Sequence, residues 1–147
     1  MTYPELYGVV EGKAHYLLQK RGMNGLEKTV LIEAKEGDIV LIPPGFGHIT
    51  INPTDKVLKM ANWVCSDFDS IYKPIQNKGG AAWFELTNGK FVKNDRYGDI
   101  PKLEKYKASK QQLFNSHLYN LIKTPDKLKF LKYPEVEKKI FEKLDYY

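Results

Sequence analysis

The sequence predicts an all-β body, a sandwich or barrel of short strands, followed by a helical tail. Three observations carry this. Between residues 5 and 98, short apolar or alternating runs recur at regular spacing, separated by Gly, Pro, Asn and Asp turn signals. Aromatic residues make up 13% of the chain, with ten Tyr and seven Phe, which suits pleated strands better than a plain helical bundle. Beyond Pro101 the apolar residues change to helical spacing. The expected organisation is a barrel over residues 1–98 and a helical extension over residues 99–147.

Leu6–Val10 and His15–Gln19 read as strands on either side of the turn Glu11-Gly12-Lys13. Arg21–Lys28 contains Gly22, Asn24 and Gly25 and reads as a loop or hairpin tip. Thr29–Ala34 is a β-branched strand, Glu36-Gly37-Asp38 turns the chain, and Ile39–Ile42 is an apolar strand. Pro43-Pro44-Gly45 forces a tight non-helical bend, because proline fixes φ and removes a donor. Ile49–Asn52 and Val57–Val64 are further strands around Asn52-Pro53-Thr54-Asp55. Ala81–Leu86 and Lys90–Lys93 form a hairpin on the strong Asn88-Gly89 signal. In the tail, Ser109 and Gln112 make a capping box ahead of Leu113, Phe114, Leu118, Leu121 and Ile122. Pro125 opens a second helix, and Pro134 opens a third whose Val136, Ile140, Phe141 and Leu144 share one face. That amphipathic tail is expected to pack on the barrel or on a second subunit.

Composition excludes several function classes. At 147 residues the chain holds one domain with an appendage, not a large multidomain enzyme. The apolar runs are too short to span a bilayer, and no secretory signal opens the sequence. Net charge is +5, but Arg21 and Arg96 are the sole arginines and the lysines are interleaved with acidic residues. That describes a solvated surface rather than a nucleic-acid interface, which relies on clustered and bidentate contacts. The lone Cys65 excludes an internal disulfide and suits a buried position in a reducing, cytoplasmic protein.

The chemistry-bearing pattern is Gly37, Pro43, Gly45, His48 and Asn52, in the spacing Gly-x5-Pro-x-Gly-x2-His-x3-Asn. The glycines permit turns that other residues resist, and His48 opens a strand on which Thr50 shares its face. A second pattern is Glu5, six residues, then Gly12. Together these resemble the two signatures of the cupin superfamily, a jelly-roll, double-stranded β-helix fold. The wording Tyr3-Pro4-Glu5-Leu6-Tyr7, Glu11-Gly12-Lys13-Ala14 and Pro43–Asn52 is similar to the cupin-type glucose-6-phosphate isomerases, over roughly Tyr3 to Asp95.

That resemblance implies interconversion of glucose 6-phosphate and fructose 6-phosphate, in glycolysis and gluconeogenesis. It implies that Glu5 and His48 correspond to two of four ligands of a divalent iron, manganese, nickel or zinc ion, with Glu5 also a proton shuttle. It implies catalytic and substrate contacts by Tyr7 and a substrate contact by Tyr72. Thr50 is placed beside His48 on strand geometry, and Trp63 would set an aromatic at the pocket edge, with core packing as its default. The family's His-x-His pair would fall immediately upstream of Met1, so an N-terminally incomplete barrel is expected, with metal held weakly or not at all. His15 and His117 do not replace the pair on spacing. The exposed edge of such a barrel predicts a homodimer. The resemblance leaves open a non-catalytic cupin that binds sugar phosphate or acts as a dimerising paralogue, and another metal-dependent cupin enzyme such as an epimerase.

Overall fold

The computed structural model of the protein describes residues 2–108 and 117–147. It is built mainly of β-strands in two sheets, with few and short helices, as the sequence predicts. The first sheet has the order β4-β1-β6, formed by Ile39–Ile42, Glu5–Glu11 and Lys59–Trp63. The second has the order β5-β2-β3-β9, formed by Phe46–Ile51, Lys13–Gly22, Gly25–Lys35 and Leu103–Lys107. A hairpin of β7 (Trp83–Glu85) and β8 (Phe91–Lys93) pairs with neither sheet.

Gly12 shows how local sequence closes the first turn. Its φ is +86°, and a Cβ there would collide with the Val57 carbonyl oxygen, so only glycine permits β1 to run directly into β2. Gly37 and Gly45, the two glycines of the histidine pattern, also take positive φ, +82° and +86°. The β2–β3 hairpin is longer than the sequence suggests. Its strands continue to Gly22 and Gly25, with a register shift at Lys20/Arg21, so most of the expected 21–28 loop is strand.

Side chains alternate across each strand, and the register therefore sorts them into layers. On β1, Glu5 and Tyr7 lie opposite Ile42 and Val40 and face the barrel interior, while Leu6 lies opposite Leu41 on the other face. On β2, Tyr16 and Leu18 face the same interior, opposite Thr50 and His48 of β5. The interior is filled by Tyr16, Leu18, Val30 and Ile32, all 1% exposed or less. Outside the second sheet, Leu17, Leu31 and Leu103 pack with Ala81 and with Trp83 and Phe91 of the hairpin. Gln19 ties this layer down: its buried side chain accepts from the Ala82 amide (2.9 Å) and donates to the Tyr97 hydroxyl (3.1 Å).

Two features depart from the sequence reading. The change of pattern at Pro101 is followed by a strand, β9, which pairs in parallel with β3 from Thr29↔Leu103 to Glu33↔Lys107. The tail is less helical than its apolar spacing suggests. From residue 117 it consists of 3₁₀ turns at Leu118–Lys123 and Pro125–Leu128 and two single-turn helices, Lys129–Lys132 and Lys138–Glu142. The capping box at Ser109 with Leu113 and Phe114 lies outside the described residues. Leu118, Leu121, Phe130, Phe141 and Leu144 join the main apolar core, so the tail packs on the barrel. Ile122 and Val136 do not join it; they are 66% and 73% exposed, because short 3₁₀ turns do not repeat a face the way a long α-helix does. No helix among the described residues is long and apolar enough to cross a membrane.

Candidate functional site

Glu5 and Tyr7 project from β1 and His48 from β5, across the interior between the two sheets. The Tyr7 hydroxyl is 2.8 Å from Glu5 Oε2 and 3.1 Å from His48 Nε2. Glu5 Oε2 and His48 Nε2 are 3.8 Å apart, and each side chain is 14% exposed. The Tyr7 ring is held from below by Tyr16, with centroids 5.1 Å apart, and meets His48 edge-on at 5.5 Å. Tyr16 is itself fixed by its hydroxyl, which donates to Met60 Sδ at 3.2 Å.

These three groups line the floor of a cavity of about 660 Å³. Thr50 and Tyr72, the other expected contact residues, line it as well, as do Tyr3, Phe68, Ser70 and Gln76. Tyr72 is 64% exposed and stands at the rim, next to the single-turn helix Lys73–Gln76. Tyr3 and Phe68 stack at 5.3 Å and form a wall that the sequence reading did not include. The available signal was alternation: Tyr3, Glu5 and Tyr7 are spaced by two. No Lys or Arg lines the cavity among the described residues, and Lys20 is paired with Glu27 at 2.8 Å.

Electrostatics separate the roles of the three groups. Burial, and secondly the Glu5 charge, hold the Tyr7 phenol well above its ordinary range, so it keeps its proton and donates to Glu5. Burial also pulls His48 below the usual imidazole value. The Glu5 charge and the hydrogen bond to the Phe46 backbone oppose this without reversing it. The expected result is that the His48 ring resonances titrate below the ordinary midpoint of about 6.5. Glu5→Gln removes the opposing charge and should lower the midpoint further. An NMR titration placing His48 above the ordinary value would contradict this.

Several residues lie elsewhere. His15 points to the outside of the second sheet, where its Nδ1 sits 2.8 Å from Glu85 Oε2. His117 is exposed at the head of the Leu118–Lys123 turn. Asn52 is used by its own turn, donating to the Lys56 carbonyl at 2.7 Å and accepting from the Thr54 amide at 3.1 Å. Trp63 is not at the edge of this cavity. It faces the tail, lining a smaller apolar recess of about 320 Å³ with Leu118 and Ile122, because its partner in register is Leu6 rather than Tyr7.

Residues 1–102 match the family described as glucose-6-phosphate isomerase (GPI). The chain belongs to the cupin-type glucose-6-phosphate isomerase family. No curated protein matches it. Within this isomerase family frame, the donor set can be tested against a resident metal. Among the described residues no group of three or more His, Cys, Asp or Glu side chains comes together. Glu5 and His48 are two donors, and a divalent ion in a closed or catalytic protein site takes three or four. The described side chains therefore do not make a closed metal site. Metal analysis after gel filtration is expected to find well under one ion per chain, and one tightly held ion per chain would overturn this expectation.

Proposed function

We propose that this family member interconverts glucose 6-phosphate and fructose 6-phosphate, with Glu5 as the group that moves the proton between C1 and C2. The observation that carries this reading is the Tyr7 hydroxyl, within hydrogen-bonding distance of both Glu5 and His48 at the bottom of one cavity. A carboxylate held there, largely shielded from water, is placed to take a proton from the carbon next to a carbonyl and return it to the neighbouring carbon. Tyr7 orients the carboxylate by donating its one hydroxyl proton to Glu5 Oε2. Thr50 and the rim residue Tyr72 offer hydroxyls and an apolar ring to the sugar chain. The Glu5 charge at the floor directs the substrate phosphate away from it and toward the open end. Divalent iron, manganese, nickel or zinc supplied to the protein would meet Glu5 and His48.

The test is fructose 6-phosphate turnover in D2O, with and without added manganese or iron. The expected product is glucose 6-phosphate carrying solvent deuterium at C2. Absence of turnover with every metal would end the isomerase reading, and full retention of the substrate hydrogen would remove Glu5 as a proton carrier. A second reading is a non-catalytic cupin that holds sugar phosphate. The two-donor site favours it, and calorimetric binding of fructose 6-phosphate without turnover would select it.

We also propose a cytoplasmic homodimer. Cys65 is free and buried, which suits a reducing compartment. Among the described residues β6 pairs on one side only, leaving an edge that a second copy can cover. Light scattering at micromolar concentration is expected to give twice the 17.0 kDa chain mass. A monodisperse monomer would rule the dimer out.

A further inference from the structure

Leu6 separates Glu5 from Tyr7 on β1, is fully buried, and points away from the cavity. In register it lies between Leu41 of β4 and Trp63 of β6. The C-terminal segment makes one hydrogen bond to each of these two neighbours. The Trp63 indole N–H donates to the Leu118 carbonyl at 3.0 Å, and the Tyr146 hydroxyl donates to the Leu41 carbonyl at 2.8 Å. Between them the Leu118 side chain sits on Gly8 of β1, so close that a Cβ on Gly8 would lie 2.9 Å from Leu118 Cδ2. The three strands of the first sheet are thus gripped from behind, at the level of the pair that faces the cavity.

We propose that residues 117–147 act as a clamp that sets the position of Glu5 and Tyr7, with Leu118 and Tyr146 as positioning residues. The mechanical reason lies in β1. Beside Leu6 on the outer face, Gly8 leaves a position of β1 with no side chain, which Leu118 fills, and among the described residues its neighbour β6 is held by pairing on one side only. Without the tail, this sheet could twist and carry the Glu5–Tyr7 pair with it. A shift of about an ångström at reacting groups can cost orders of magnitude in rate. The family match ends at residue 102, so the clamp is built wholly from chain beyond the matched region.

The effect on turnover rests on the isomerase reading; the effect on geometry does not. The test compares two full-length variants. Tyr146→Phe keeps the buried ring against Tyr106 and removes only the bond to Leu41. Leu144→Ala removes buried apolar volume from the same segment and touches neither bond. For Tyr146→Phe, the amide resonances of Glu5 and Tyr7 are expected to move, and kcat is expected to fall by about fivefold with KM little changed. For Leu144→Ala, the melting temperature is expected to fall while those resonances and kcat, measured well below melting, stay at wild-type values. Unmoved Glu5 and Tyr7 resonances in Tyr146→Phe, or equal movement in both variants, would overturn the clamp. If the protein turns over no sugar phosphate, the resonances alone decide the question.

Discussion

Glu5→Gln is expected to lower fructose 6-phosphate turnover by about 10²- to 10⁴-fold, the usual range for losing a positioned acid–base group, while the melting temperature stays within a few degrees of wild type. The amide has the shape of the carboxylate and can still accept the Tyr7 hydroxyl bond at the Oε2 position, so the local scaffold persists. What it cannot do is take a proton from carbon. KM should move less than kcat, because the sugar chain is held by the walls of the cavity rather than by Glu5 alone. Residual activity above about a tenth of wild type would show that another group moves the proton, and the geometry would then direct attention to Tyr7 or His48.

Phe141→Ala is expected to cost about 3–5 kcal/mol, typical for truncating a buried aromatic ring. Phe141 is 1% exposed, meets Phe130 edge-on at 6.2 Å, and belongs to the same apolar core as Leu6, Leu41 and Ile42 of the first sheet. For a domain of this size that loss lowers the melting temperature by about 10 °C. The informative comparison is between probes. Trp63 fluorescence reports the barrel face under the tail, and far-UV circular dichroism reports the strands as a whole. Both should shift together in the variant, since the tail and the sheet share one core. A tail that melted early, leaving the strand signal at its wild-type midpoint, would show that the segment is an appendage.

Much of the barrel was legible because its signals are local. Asn88-Gly89, Gly12 and Pro43-Pro44-Gly45 fix turns by backbone chemistry that needs no distant partner. The spacing of Gly37, Pro43, Gly45 and His48 specifies a turn, a strand and an inward imidazole, and simple alternation added Thr50 and paired Glu5 with Tyr7. The parts that were missed depend on distant partners. β9 reads Leu-Glu-Lys-Tyr-Lys, with little apolar pattern, and becomes a strand because β3 presents an open edge 74 positions earlier, at Thr29 opposite Leu103. Val136 was assigned to the tail's buried face on an α-helical period, whereas Pro134 and the short turns break that period. Trp63 takes the default of core packing rather than the pocket edge, because its side of the sheet depends on register with Leu6, and register is set across strands.

The bond from Tyr146 to the Leu41 carbonyl also constrains how the molecule is made. Its partners are separated by 105 positions, and the β3–β9 pairing also joins distant stretches of chain. Contacts of such long sequence range make folding slow, in the range of milliseconds to seconds. They also cannot form while residue 146 is still inside the ribosome. Early strands must therefore wait, partly unpaired, for the last helical turns to emerge. During synthesis the nascent barrel is open on the face behind β1, and chaperones would be expected to guard that face until translation has passed this point.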